Sequence, residues 1–336
     1  MQSNLLPFVK EYYGQRASIP GTLLVSEATA ISDKAVGFSN VPGVWNEKQI
    51  HAWREVADSV HSKGSFIFLQ LWATGRSAGS DELSREAFEL VSSSSIPIDT
   101  GGLIPRSLTE EEVQGYISDY AQAAKNAISA GMDGVEIHGA NGYLLDQFTQ
   151  SSCNQRNDQW GGSIQRRARF TLEVARAVVA AIGPDRVGMK LTPWGRIQGM
   201  GTMDELIPQF QYLISRLSDM GIAYLHLANS RWIEEISVQD ESNEILLQAW
   251  GNAKPVILEG GYDSDSAKQE VDVAYHGYDV AIAFGRHFLS NPDLPFRIKM
   301  GIELEKYDRE TFYTPMLPKG YVDYPFSAEF LSTRHE

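Results

Sequence analysis

Gly134-Val-Glu-Ile-His138, followed by Gly139-Ala-Asn141-Gly-Tyr143-Leu-Leu-Asp-Gln-Phe148, decides how the chain is read. The first five residues read as a buried strand, so a His, an Asn and a Tyr emerge together from a strand's C-terminal end. Barrels of the α/β class keep their chemistry at that end. His138 and Asn141 are neutral hydrogen-bonding groups three residues apart and can hold one carbonyl oxygen. Tyr143 adds a phenol that stays protonated at neutral pH and can supply a proton.

Other short apolar runs repeat the strand pattern on either side. They cover 22–25, 66–72, 187–192, 224–228, 255–258 and 280–284, as expected of parallel strands buried on both faces. Amphipathic helical patterns lie between them. One over 109–130 opens with Thr109 as N-cap and Glu112 three residues on, the spacing of a capping box. Others cover 163–182 and 203–220. A further helix over 4–16 precedes the first strand. Alternating strands and helices imply a parallel sheet. No Gly-x-Gly-x-x-Gly follows any strand, which disfavours a doubly wound dinucleotide fold. The expected fold is a (β/α)8 barrel lacking its first β-strand, a single domain over 1–336. The Ser-, Gly- and Pro-rich insertion over 77–106 follows the 66–72 strand and should lie over the active face. Loops of that length usually serve function or move.

Composition bounds the partners. A net charge of -14 argues against nucleic acid. The single cysteine, Cys153, excludes an internal disulfide and points to a reducing compartment. The start lacks a signal-peptide pattern, and no run of 18 apolar residues occurs, so a cytoplasmic protein without a membrane span is expected. His138 lacks the spacing and the cysteine neighbours of a zinc site, so no metal is expected.

Many ordered blocks carry a family resemblance over nearly the whole chain. They include Glu11-Tyr-Tyr-Gly-Gln-Arg16, Pro42-Gly-Val-Trp45, Leu69-Gln-Leu-Trp72, Gly134 to Tyr143, Trp160-Gly-Gly-Ser-Ile164, Phe284-Gly-Arg286 and Gly320-Tyr-Val-Asp-Tyr-Pro325. The chain resembles the Old Yellow Enzymes, FMN-dependent ene-reductases on a (β/α)8 barrel. Leu71-Trp-Ala-Thr-Gly-Arg76, Val187-Gly-Met-Lys-Leu-Thr192 and the block beginning His226-Leu-Ala-Asn229 are closer to the fungal chanoclavine-I aldehyde reductases. The resemblance implies FMN as cofactor and NADPH or NADH as reductant. The implied substrate is a small enal or enone, in the closest branch chanoclavine-I aldehyde of ergot alkaloid biosynthesis. It is compatible with a homodimer.

The resemblance also implies roles. His138 and Asn141 would bind the substrate carbonyl, and Tyr143 would protonate the α-carbon. Relatives with Phe at that position are regarded as isomerases, so Tyr143 points to reduction. Gln70 would bond the flavin pyrimidine edge, and Ala28 would pack against the flavin. Lys190 would stand where the family usually has Arg, beside flavin N1 and O2. Gly260, Gly261, Gly285 and Arg286 would cradle the phosphate, and Trp72 and Tyr321 would shape the substrate cavity. Independently of the family, a cation within the apolar run 187–191 needs an anionic partner.

Two departures from the family pattern stand out. Without a first strand, the strands over 22–25 and 280–284 would have open edges. Unpaired backbone groups there would cost about 1–3 kcal/mol each if buried, so FMN binding should suffer. Glu259 stands where the family prefers a small neutral residue. Beside a phosphate it would be repulsive, unless it faces solvent or pairs with a basic group. The favoured activity is flavin-dependent reduction of an α,β-unsaturated aldehyde or ketone. Its rivals are an inactive, FMN-free truncated homologue and a non-redox binding protein on the same barrel.

Overall fold

The computed structural model describes residues 5–79, 89–201, 203–229 and 241–333. In chain order the elements are α1 (Pro7–Arg16), β1 (Leu23–Val25), β2 (Thr29–Ala30), α2 (Glu47–His61), β3 (Phe66–Trp72), β4 (Val91–Ser92), β5 (Arg106–Ser107), α3 (Glu110–Ser129), β6 (Gly134–Gly139) and α4 (Leu144–Thr149). They continue with α5 (Ile164–Ile182), β7 (Val187–Leu191), α6 (Leu206–Ser218), β8 (Tyr224–Ala228), α7 (Glu244–Trp250), β9 (Val256–Glu259), α8 (Ser264–Gln269), β10 (Val280–Ile282), α9 (Arg286–Ser290), α10 (Leu294–Met300) and α11 (Ala328–Ser332).

One parallel sheet runs β1-β3-β6-β7-β8-β9-β10, with β2 added to the end of β3. The alternation of strands and helices wraps this sheet as in a (β/α)8 barrel. Its middle strands are buried on both faces, as their continuous apolar runs require. In β8, for example, all five residues of Tyr-Leu-His-Leu-Ala are buried. The ends of the sheet differ. Among the described residues β1 and β10 each pair on one side only, and Leu23 and Ala281 are exposed.

Local chemistry fixes the helix starts. Thr109 accepts from the Glu112 amide, and the Glu112 carboxylate accepts in return from the Thr109 amide at 2.7 Å, so the expected capping box forms. Ser163 caps α5 in the same sense. Strand limits agree with the sequence at β3 and β8 and shift by a residue or two at the others. β2 and the small β4–β5 ladder have no signal in the apolar pattern, because each is only two residues long.

Of the 77–106 segment, residues 80–88 lie outside the described residues. The later part is tied to the barrel. Arg76 donates to the Ile96 carbonyl at 2.9 Å and to the Gln198 carbonyl at 2.9 Å. The Ser93 hydroxyl donates to the Gln147 carbonyl at 2.7 Å, and Arg156 donates to the Ser93 carbonyl at 3.0 Å. No helix among the described residues is long and apolar enough to cross a membrane.

The Thr109 cap carries a stability prediction. Thr109→Ala removes one half of the box and should cost about 1 kcal/mol, the usual worth of such a cap. Urea unfolding should show a lower midpoint with an unchanged slope. An unchanged midpoint would mean that packing of α3, not its cap, fixes that end.

Candidate functional site

Strand register brings the site together. Gln70 on β3 pairs with Glu136 on β6, Glu136 with Gly188 on β7, and Gly188 with Tyr224 on β8. Two residues further along, His138, Lys190 and His226 form a second row on the same three strands. Side chains two apart on a strand share a face, so both rows point into the barrel near its C-terminal end.

The first row is built around Glu136, which is fully buried. Its carboxylate accepts from Gln70 Nε2 at 2.6 Å and from the Tyr224 hydroxyl at 3.0 Å, and it meets His226 Nδ1 at 2.8 Å. Gly188 makes the tyrosine contact possible. A Cβ there would come within 2.2 Å of the Tyr224 ring, so only glycine lets the phenol lie across β7 to Glu136.

The second row is charged. Lys190 Nζ lies 2.8 Å from Glu259 Oε1, and the other Glu259 oxygen lies 3.5 Å from His226 Nε2. Two oddities of the sequence thus answer each other: the cation in an apolar strand and the carboxylate before Gly260. Burial works against all four charges, but the partners prevail. Lys190 and His226 hold the Glu259 carboxyl well below the usual range. His226 lowers the Glu136 carboxyl against its burial. Glu259 and Glu136 push the Lys190 amine up. Glu136, with Glu259 behind it, pushes the His226 imidazole up to about 9. Two anions and two cations sum to zero, as a buried charged cluster must to be tolerable.

His138 stays outside this balance. Burial first, and then the Lys190 charge, push its imidazole down to about 3, so it is neutral at physiological pH. Its Nδ1 is buried without a partner, as are Asn141 Oδ1 and Trp72 Nε1. The His138 and Tyr143 rings meet edge to face at 5.2 Å, and Trp72 meets Tyr143 in the same way at 4.9 Å. Asn141 adopts a positive φ of 57°, and its amide donates to Thr192 Oγ1 at 2.7 Å. That bond ties the β6 turn to the end of β7. Burial raises the Tyr143 phenol above its ordinary value, while a hydrogen bond with Gln198 opposes the rise.

Ala28, Trp72, Tyr143 and Tyr321 line one cavity of about 1040 Å³, roomy enough for a small ligand. Tyr321 stacks on Tyr12 with ring centroids 4.0 Å apart, and its hydroxyl donates to Glu27 at 3.4 Å. The glycine loop is joined to the ion cluster through Glu259, which immediately precedes it. Gly260 has a φ of 139°, and a Cβ there would sit 2.7 Å from Asn229 Cβ. Gly261 has a φ of 76°, and its face lies beside Arg286, whose Nη2 would be 3.4 Å from an added Cβ. Arg286 follows Gly285 and donates to the Tyr307 hydroxyl at 3.3 Å.

The structure therefore brings together Trp72, His138 and Tyr143, and separately Gly261 and Arg286; Lys190 is beside His138 in register, and its partner Glu259 precedes Gly260. Sequence reasoning did not single out Glu136 or Tyr224, and used His226 only as a family marker. The signal was present as polar residues at alternate positions of otherwise apolar strands. Their partners lie 66 to 90 residues away, which only register reveals.

A parallel α/β sheet of barrel type, with Gly260, Gly261 and Arg286 after its last strands and His138, Asn141 and Tyr143 after β6, has the layout of an α/β-barrel enzyme. Comparison with known proteins makes this specific: residues 2–305 match the NADH:flavin oxidoreductase / NADH oxidase family, and the chain belongs to it. "Aldehyde reductase FrzD" of Cladobotryum sp is 64% identical over 97% of this chain and 87% of its own length. "Probable inactive reductase easA" of Epichloe festucae var. lolii is 58% identical, covering 97% of this chain and 88% of that protein. "Chanoclavine-I aldehyde reductase ifgG" of Penicillium roqueforti is also 58% identical, with the same coverage. The solved structure of morphinone reductase superimposes with a TM-score of 0.89 at 38% identity, covering 97% of this chain and 88% of that one. The protein is an NAD(P)H-dependent FMN oxidoreductase of the Old Yellow Enzyme type.

The raised His226 carries a pH prediction. An unfolded histidine titrates near 6.5 and the folded one near 9. Its ion pairs therefore contribute fully below about pH 6.5 and are lost as pH rises through about 9. The stability gap between the parent and His226→Gln, from urea midpoints, should shrink over that window, by on the order of 3 kcal/mol at most. A gap that widens or stays flat from pH 6 to 9.5 would show that His226 is not protonated in the fold.

Proposed function

We propose that this protein reduces the C=C bond of an α,β-unsaturated aldehyde, with chanoclavine-I aldehyde as the favoured substrate. The observation that carries the proposal is the neutral His138 beside Asn141 and Tyr143 at the end of β6, walled by Trp72. Substrate preference is supported by relatives named as aldehyde reductases at 58–64% identity. The chain would act as one barrel domain over 1–336, with the 77–106 segment over the mouth, in the cytoplasm, alone or as a homodimer.

The residues present fit FMN. The glycine pair and Arg286 offer backbone amides and a guanidinium to a phosphate. Gln70 and Lys190 would meet the pyrimidine edge, with Ala28 against the ring. When bound, FMN supplies a hydride that it has taken from the nicotinamide. Around that chemistry, His138 and Asn141 donate to the substrate's carbonyl oxygen, where negative charge builds as the β-carbon accepts hydride. Fixed donors aimed at developing charge stabilise the transition state more than the ground state. A neutral imidazole suits this, because it donates without bringing a second cation beside Lys190. Tyr143 then gives its phenolic proton to the α-carbon. Its raised pKa keeps that proton in place at neutral pH.

A second reading, an inactive homologue that holds no FMN, is favoured by the name of the Epichloe festucae relative. Flavin absorbance of the purified chain separates the two.

In FMN-loaded protein, Tyr143→Phe should leave flavin reduction by NADPH nearly intact and slow reoxidation by an enal roughly 10²–10⁴-fold, the worth of a positioned general acid. Equal losses in both half-reactions would remove Tyr143 from that role. His138→Ala or Asn141→Ala should weaken binding of phenols, whose oxygen mimics the enolate, by roughly 10- to 150-fold. Unchanged phenol titrations in both variants would place the oxygen site elsewhere.

A further inference from the structure

Glu259 has no part in the reaction just described, yet it is built into the site. It ends β9 immediately before Gly260 and turns inward. One carboxylate oxygen is 2.8 Å from Lys190 Nζ and the other is 3.5 Å from His226 Nε2. His226 is already engaged at its other nitrogen by Glu136, at 2.8 Å. Glu259 is therefore not needed to neutralise His226. Its nearest charged partner is Lys190, the cation proposed to face the flavin's pyrimidine edge. An ammonium has three donors, so Lys190 can keep Glu259 and still donate to a ligand. It does so as a cation whose field is largely cancelled by the carboxylate behind it.

Reduction of a flavin adds negative charge at its pyrimidine edge. A bare lysine there would stabilise the reduced form relative to the oxidised one. A lysine with a carboxylate against it stabilises the reduced form less. We infer that Glu259 is a positioning residue that holds Lys190 as a matched ion pair and thereby lowers the reduction potential of FMN bound at this site. The effect divides the two half-reactions. The reduced cofactor becomes a stronger hydride donor to the enal, and its reduction by the nicotinamide becomes less favourable. Such tuning suits an acceptor that is hard to reduce. The inference rests on the reading that FMN binds here with Lys190 at its pyrimidine edge.

The test uses FMN-loaded parent protein, Glu259→Gln, Glu259→Asp and Lys190→Gln. The readouts are the flavin midpoint potential, by equilibration with a reference dye, and the affinity for oxidised FMN, by fluorescence quenching. Glu259→Gln keeps the shape and a hydrogen bond to Lys190 but removes the charge. It should favour reduced over oxidised flavin by roughly tenfold, a rise of about 30 mV for a two-electron couple. Glu259→Asp should stay close to the parent, and Lys190→Gln should move the potential downward. A Glu259→Gln potential equal to or below the parent's, while Lys190→Gln still lowers it, would overturn the role of Glu259 and leave the cofactor reading intact. No flavin bound by the parent or by any variant would overturn the cofactor reading, and the inference with it.

Discussion

Glu136 and Glu259 face His226 and Lys190 inside the barrel, across four neighbouring strands, and the rest of the site depends on that balance. Each charge alone would be costly to bury, and removal of any one leaves an uncompensated partner. The cluster fixes His226 as a cation and Lys190 as a paired ammonium. It also bears on the state of a residue outside it. His138 sits beside Lys190 in the register; its own burial first, and then the nearby positive charge, keep it neutral. Burial at the end of β6 and the Lys190 charge thus both favour a neutral imidazole at the proposed carbonyl site.

Space is organised by the same strands. The Tyr224 ring needs the volume that a Cβ at Gly188 would fill, and in return its hydroxyl satisfies Glu136. The Asn141 amide uses Thr192 at the end of the next strand, so the proposed carbonyl clamp is anchored on two strands. Second contacts of this kind hold a site within the small tolerances that catalysis requires. The Trp72–Tyr143–His138 ring contacts add a rigid wall on the cavity side.

Much of this was legible in the sequence, in an uneven way. Long apolar runs such as Phe66–Trp72 and Tyr224–Ala228 gave strand limits without error, and Thr109 with Glu112 gave a helix start from two residues. Family blocks pointed to His138, Asn141 and Tyr143 as a group. Two-residue strands such as Thr29–Ala30 were invisible, because a period cannot be read from two residues. The pairing of Lys190 with Glu259 was half visible: the lysine demanded an anion, and the glutamate was recognised as out of place. What was missing was register. Ala228 pairs with Glu259 and His226 with Lys190, and only these pairings bring the two side chains to one point. The part played by Glu136 was hidden for the same reason, since its partners come from strands on either side of β6.

The proposed glycine–arginine cradle follows the last two strands of the sheet, β9 and β10. Gly260 and Gly261 follow β9, and Arg286 follows β10, the strand at the sheet's end, which is less buried than β8. Opening free energy is lowest where apolar burial is thin and backbone groups face water. A phosphate held between these two loops would bridge β9 and β10. Any ligand that binds only the folded form adds stability that grows with its concentration, and here that gain falls on the end strand. Lys190 lies two strands away from the same loop and Glu259 one residue away. Occupancy of the cradle, order at the edge of the sheet and the charge balance inside the barrel therefore act on one connected stretch of backbone, from Glu259 to Gly261.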